Sequence, residues 1–251
     1  MSAPNEIPRL IHYCWFGGKR LSATAERSVA TWADVMSNCP IARWDETNFD
    51  TGQCSFSRGA FQAKKWAFVS DYVRFKVLQE HGGIYMDVGS RLLKPIDSLL
   101  AEGAFTAREW DTGYVNPGLI VAAEPHNPVI EDIVARYENL DFHDDYEFLC
   151  NHTVNRMFTQ AIARWGFENG PDTFWKTEAF TVYPSEFFCP KWSFGGYKKT
   201  NNTYAVHRFS ASWMPERERV RLKVRHALAP FIGDTMARKI ARIISLMKRD
   251  S

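Results

Sequence analysis

Apolar and polar positions recur at two different periods along this chain, and the changes of period mark its elements. Ile7-Pro8-Arg9-Leu10-Ile11-His12-Tyr13-Cys14-Trp15-Phe16 is a near-continuous apolar and aromatic run closed by Gly17-Gly18, the pattern of a strand buried on both faces. Positions 22–36 read as helix and Ile41–Trp44 as a second short strand. Helix returns from Ala63 to about Glu80, where Trp66, Val69, Val73 and Val77 fall at helical spacing. His81-Gly82-Gly83 ends it, glycine suiting the left-handed position just past a helix. Ile84-Tyr85-Met86 follows as a buried strand with Asp87 at its end. This alternation predicts an α/β fold, a Rossmann-like open and mostly parallel sheet with flanking helices. Beyond Gly103 the segments shorten: strand over 118–122, helix over 129–137 and 153–165. Pro215 is the expected boundary between one domain, 1–214, and a helical tail, 215–251.

Composition narrows the function classes. With 251 residues, 45 % of them hydrophobic, the chain can bury a real core. A net charge of +2 is too balanced for a nucleic-acid binder. The average hides an asymmetry, because residues 216–251 carry ten Lys/Arg against four Asp/Glu and leave the rest at −4. Cys14, Cys39, Cys54, Cys150 and Cys189 are odd in number and widely spaced, which predicts reduced thiols, mostly buried, and neither a disulfide framework nor a zinc site. The N-terminus lacks the pattern of a signal peptide, and no run approaches the ~18 apolar residues of a membrane span. A soluble, cytoplasmic protein is expected.

Candidate chemistry concentrates between Ser70 and Asp87. Asp71 and Arg74 stand three apart on one helix face, which by itself describes an ordinary surface ion pair. Their helix, however, leads through Gly82-Gly83 into a buried strand ending in a carboxylate. In open α/β sheets ligands bind outside the carboxyl ends of the strands, so Asp87 is placed for a sugar hydroxyl, a metal or both. His12 reads as a core histidine, Asn116-Pro117-Gly118 as a turn, and Asp144-Asp145 as a solvated loop.

Asp71-x-x-Arg74 followed by Gly82-Gly83-Ile84-Tyr85-Met86-Asp87 resembles the DXD-containing core of glycosyltransferase family 32. The opening run 7–18, the segment Trp44-Asp45-Glu46-Thr47-Asn48-Phe49 and the segment His207-Arg208-Phe209-Ser210-Ala211-Ser212-Trp213 are similar to further pieces of that family, in the same order. The resemblance implies a GT-A-like fold and transfer of a sugar from a nucleoside-diphosphate sugar, UDP-sugars being favoured. It implies roles as well. Trp15 would stack on the base, a contact worth ~1–3 kcal/mol in nucleic-acid analogues, unless it is a core tryptophan. Asp71 and Arg74 would bind donor-sugar hydroxyls, with Arg74 near the diphosphate. Tyr85 would lie beside the nucleotide or serve only the core. Asp87 would contact the ribose and the metal shell. Asn48 would reach the donor or simply hold its turn, and Ser212 and Trp213 would complete the donor site. Asn116 resembles the family's turn near the acceptor.

One departure stands out: where the family has Asp-x-Asp, this chain reads Asp87-Val88-Gly89. A hard cation wants several oxygen ligands. The expected divalent cation, Mn²⁺ or Mg²⁺, would therefore be held by Asp87, His207 and the diphosphate. Alternatively Arg91 or Lys94 would neutralise the diphosphate without metal, or the protein would bind a nucleotide sugar without turning it over. The expected activity is a retaining transfer to a hydroxyl of a growing glycan, such as capsule, exopolysaccharide or lipopolysaccharide, on a free or lipid-linked acceptor. Hydrolysis by paired carboxylates ranks last. In the tail, Met236, Ile240, Ile243, Ile244 and Met247 fall on one helical face and Arg238, Lys239, Arg242 and Arg249 on the other. That is the pattern of a helix lying on an anionic membrane surface or, equally, of one packed on the domain.

Overall fold

The computed structural model describes residues 6–109, 113–170, 172–190, 199–208 and 220. Ser212, Trp213 and the tail from 215 onward, Val220 apart, lie outside them. In chain order the elements are β1 (Ile11–Cys14), α1 (Ala23–Val35), β2 (Ile41–Trp44), α2 (Ser55–Gln62), α3 (Trp66–His81), β3 (Gly83–Tyr85), β4 (Ser90–Leu92), α4 (Asp97–Leu100), β5 (Phe105–Ala107), β6 (Val121–Ala123), α5 (Pro128–Glu138), α6 (Tyr146–Asn151), α7 (Val154–Ala163), β7 (Trp175–Lys176), β8 (Thr181–Tyr183) and β9 (Ala205–His207). Seven strands form one open sheet in the order β2-β1-β3-β6-β5-β8-β7, while β4 and β9 make a separate two-stranded ribbon.

The sheet is an α/β sheet as expected, and it is mixed. β1 runs parallel to β2 and β3, and β5 parallel to β8, whereas β6 is antiparallel to both β3 and β5 and β7 to β8. Alternation along the strands divides the core in two. Cys14, Tyr85 and Val121 face a cluster built from α2, α3, α5 and α7. Ile11, Tyr13, Ile84 and Ala122 face the other, with Trp32 of α1 and Leu99 of α4. Helices thus cover both faces, which is why the strands read as near-continuous apolar runs.

Helix boundaries follow local chemistry. Ser22 caps α1, its hydroxyl accepting from the Ala25 N–H at 3.2 Å. Asn127 caps α5 just before Pro128, accepting from Val129 at 3.0 Å. The helix expected from Ala63 begins instead at Trp66, because Lys64 takes a positive φ of 58° that separates α2 from α3. Nor does α3 carry a single apolar stripe: Phe68, Val69, Asp71, Tyr72, Val73, Arg74, Phe75, Val77 and Leu78 are all buried, since the helix is packed between the sheet and its neighbours α2 and α5. Gly82 and Gly83 end it with φ of 61° and 103°, as the Gly-Gly pair predicted.

His12 is a core residue. Its Nε2–H donates to the Gly82 carbonyl at 2.9 Å and its Nδ1 accepts from the Trp44 indole at 3.0 Å; burial lowers its pKa to about 4. All five cysteines are free thiols and, apart from half-buried Cys150, are buried. Asp144 and Asp145 are not merely solvated: Asp144 pairs with Lys65 at 2.8 Å, and Asp145 caps α6 by accepting from Phe148 N–H at 2.8 Å. Among the described residues no helix is long and apolar enough to cross a membrane.

Candidate functional site

The carboxyl end of β3 meets the middle of α3, and their polar side chains converge there. Arg74 donates through Nη2 to Asp71 Oδ1 at 2.7 Å and lies 3.5 Å from Asp87 Oδ1; its Nε bonds the Ser70 carbonyl at 3.2 Å. The Tyr85 hydroxyl donates to Asp87 Oδ1 at 2.8 Å, and the guanidinium carbon stands 4.7 Å from the centre of the Tyr85 ring. Asp71 and Arg74 are only 6 % and 3 % exposed. The surface-pair reading of these two residues is therefore wrong; the pair is in the interior, where each charge depends on its partners.

The electrostatics follow from that burial. Loss of solvent pushes the Asp71 carboxyl up, to about 7, with Arg74 pulling it down and Asp87 adding to the rise. Burial works against the Arg74 charge as well, but Asp87, Tyr85 and Asp71 outweigh it and hold the guanidinium more firmly protonated than usual. The same desolvation raises the Tyr85 phenol, so it stays a hydrogen-bond donor to Asp87. One donor is left over. Among the described residues, Arg74 Nη1 is buried and has no hydrogen-bond partner.

Gly118 closes the floor beneath Asp87. Its backbone carbonyl accepts from Asp87 N–H at 3.1 Å, and a Cβ there would collide with Asp87 Oδ2 and come within 3.3 Å of Arg74 Nη1. Only glycine lets the 116–118 turn approach so closely. Asn116 holds that turn: its Oδ1 accepts from Gly118 N–H at 2.9 Å while its Nδ2 donates to Glu109 at 3.0 Å. Asn155 of α7 donates to the same Glu109 oxygen at 2.6 Å. Glu109 and Asn155 went unseen in the sequence, since neither lies in a motif and they are 46 residues apart. The single hint was Asn116 within its turn signal.

The remaining expected residues divide. Trp15 is half-buried at the end of β1, its indole N–H donating to the Lys19 carbonyl at 2.7 Å. Asn48 uses both ends of its amide within its own turn, accepting from Asp45 N–H at 2.9 Å and donating to the Arg43 carbonyl at 2.8 Å. His207 lies on β9, opposite Ser90 of β4, with its ring against Gly89. Burial lowers its pKa, partly offset by nearby Asp87, so the imidazole is neutral and able to ligate. Lys94 and Arg91 do not stand where a diphosphate beside Asp87 would need them. Lys94 donates to the Asn201 carbonyl at 2.5 Å and lies over the Tyr204 ring. Arg91 points to the face of the ribbon opposite buried Ser90.

For a divalent cation the fit is limited but chemically consistent. Asp87 offers a carboxylate and His207 a neutral ring, and among the described residues no group of three His, Cys, Asp or Glu gathers for a metal. Gly89 cannot be credited as a vacant ligand position, because a Cβ there would lie 2.7 Å from His207 Nε2 and 2.9 Å from the Arg208 carbonyl oxygen.

Residues 22–106, which contain α3, β3 and this cluster, match the family described as glycosyltransferase sugar-binding region containing DXD motif. The match covers about a third of the chain, and over that region the chain is similar to the sugar-binding region of DXD-containing glycosyltransferases, which supports a transferase. It is 23 % identical over 228 residues to an uncharacterized glycosyltransferase, L373, of Acanthamoeba polyphaga mimivirus, covering 83 % of this chain and 84 % of that one. It is 28 % identical over 147 residues to inositol phosphoceramide mannosyltransferase 1 of Schizosaccharomyces pombe, covering 51 % of this chain and 43 % of that protein. A solved structure, PaToxG glycosyltransferase, aligns with a TM-score of 0.48 at 20 % identity over 64 % of this chain and 71 % of its own. The matched region ends within β5, and the turn bearing Asn116 and Gly118 lies beyond it.

Proposed function

We propose that the protein transfers a sugar, with retention of anomeric configuration, from a nucleoside-diphosphate sugar to a hydroxyl of a growing glycan, with UDP-sugars as the favoured donors. The observation that carries this reading is the open Arg74 Nη1 beside Asp87. A buried guanidinium N–H without a partner is costly, and an oxygen of the donor sugar or its diphosphate satisfies it. Asp71 fixes Arg74 and is itself available to sugar hydroxyls, as is Asp87 Oδ2. Trp15, half-buried at the neighbouring strand end, offers an indole for the base.

The chemistry is displacement of a nucleoside diphosphate from the anomeric carbon through an oxocarbenium-like transition state. Arg74 stabilises negative charge on the departing phosphate from a site already shielded from water. In a same-face attack the leaving phosphate takes the acceptor's proton, so no protein nucleophile is needed. A divalent cation held by Asp87, His207 and the diphosphate would add charge neutralisation of the leaving group. With two protein ligands among the described residues, such a cation binds weakly until the diphosphate completes its shell. Acceptors proposed for testing are surface polysaccharide intermediates and lipid-linked glycans, with residues 216–251 attaching the enzyme to an anionic membrane face on the cytoplasmic side.

Incubation with a panel of UDP- and GDP-sugars, scoring transfer, hydrolysis and binding separately, tests this proposal. Asp87→Asn keeps the size of the side chain and an oxygen for the Tyr85 hydroxyl, so it should abolish transfer without lowering the melting temperature. Turnover at the normal rate in that variant would remove Asp87 from the site. Gly89 in place of the second carboxylate favours one other reading, a sugar-nucleotide-binding protein without turnover. Stoichiometric binding with neither transfer nor hydrolysis across the panel would establish it.

A further inference from the structure

The ribbon of β4 and β9 has two unlike faces. Ser90 and His207 pair across it toward the interior, next to Gly89 and Asp87. On the opposite face Arg91 and Val206 are register partners. Together with Leu93, Lys199 and Arg208 they line a cavity of about 320 Å³. Arg91, Lys199 and Arg208 are exposed, and among the described residues none of the three has an ion-pair partner. Among the described residues the lining holds no carboxylate. Three like charges gathered around one hollow repel one another and contribute nothing to folding. Leu93 and Val206 meanwhile supply an apolar floor between them. The volume is at the lower limit of ligand pockets, about 300 Å³, enough for one compact group and too small for an oligosaccharide.

We propose that this cavity is a phosphate subsite, holding a phosphate or diphosphate group that carries an apolar substituent. Arginine presents a planar fork of donors suited to phosphate oxygens, and lysine adds a point charge; the apolar floor takes the first carbons beyond the phosphate. The site is separate from the donor cluster, but the ribbon connects them: the Arg208 N–H donates to the Gly89 carbonyl at 2.9 Å, and Gly89 follows Asp87 by two residues. A phosphorylated acceptor anchored here is held at the rim of the donor site. Its use as an acceptor anchor rests on the transferase reading, whereas the binding of phosphate does not.

The full chain is titrated calorimetrically with inorganic pyrophosphate, glucose 1-phosphate and dodecyl phosphate, with a saturating nucleoside diphosphate present to fill the donor site. The same titrations are made with the double variant Arg91→Gln/Lys199→Gln and with Asp87→Asn. Dodecyl phosphate should bind more tightly than glucose 1-phosphate, as the apolar floor requires; the reverse order overturns the apolar-substituent part of the proposal. The double variant should weaken binding on the order of 30-fold, about 1 kcal/mol for each charge removed, while Asp87→Asn leaves it unchanged. Equal affinity in wild type and double variant overturns the proposal. Binding only to vesicles of phosphatidylcholine with phosphatidic acid, with none of the soluble phosphates bound, also overturns it, since that describes a membrane-facing surface. Because binding is read without transfer, failure of the transferase reading leaves this result interpretable.

Discussion

Restoring the missing carboxylate by Gly89→Asp is the obvious way to strengthen metal binding, and the structure predicts that it fails. A Cβ at position 89 would lie 2.7 Å from His207 Nε2 and 2.9 Å from the Arg208 carbonyl oxygen, both closer than real Cβ contacts come. The ring could rotate, but the carbonyl belongs to a backbone tied to residue 89 itself through the Arg208 N–H to Gly89 carbonyl bond. Strand β9 must therefore move away from β4. Overpacking of this kind costs ~1–3 kcal/mol, and at this chain length each kcal/mol lowers the melting temperature by about 2–4 °C. A fall on the order of 2–12 °C is expected for Gly89→Asp and equally for Gly89→Ala, because the collision is with the first side-chain atom. Adding His207→Ala removes the ring contact and should recover only part of the loss. Thermal unfolding of the three variants, paired with Mn²⁺ titration, checks this. A Gly89→Asp protein that melts like wild type and binds Mn²⁺ tightly would refute the argument.

Arg74→Met should cost about 3–5 kcal/mol by leaving the Asp71 carboxylate buried without its cation. Asp71→Asn added to it should restore denaturant resistance but not transfer; recovery of both would make the pair purely structural. Mn²⁺ should bind the protein weakly alone and at least tenfold more tightly with a nucleoside diphosphate present, as read by calorimetry; tight binding to the protein alone would contradict the two-ligand site. His12 has a native pKa near 4, below the ordinary value near 6.5 of the unfolded chain. The unfolded state thus takes up the proton first, and stability is complete above pH 6.5 and falls toward pH 4 by up to about 1.4 kcal/mol per unit. Urea midpoints across that window should fall less steeply in His12→Gln, and identical slopes would exclude His12 as a cause of acid sensitivity.

The sequence disclosed those parts of the site whose chemistry is local. Asp71 and Arg74 share one helix and Asp87 stands just past β3, and the likeness to a DXD-containing core drew them together, since spacing alone described an ordinary ion pair. Their burial was not legible, because it comes from α2 and α5 closing over the outer side of α3, and no periodicity within α3 reports on that. The strands β4, β5 and β9 are three residues each, shorter than two repeats of the two-residue alternation that would reveal them. Gly89 was legible as a departure from a motif, but its cause, His207 pressed against it from 118 positions away, was not. Glu109 escaped for the same reason: a buried carboxylate held by two amides is a property of the packing.

The β4–β9 ribbon also sets the order in which the site is assembled. Asp71, Arg74, Asp87 and Gly118 meet through contacts that span fewer than about fifty positions, so they can organise early at modest entropic cost. The ribbon pairs Ser90 with His207, and forming that contact must wait for everything between. Such distant pairing is slow relative to local structure. During synthesis the Arg74 cluster can therefore form before His207 and the late cations of the outer cavity, Lys199 and Arg208, arrive. On the proposed function, a nascent chain that stops short of β9 would present the Arg74 cluster without His207, the second side chain proposed to hold a cation.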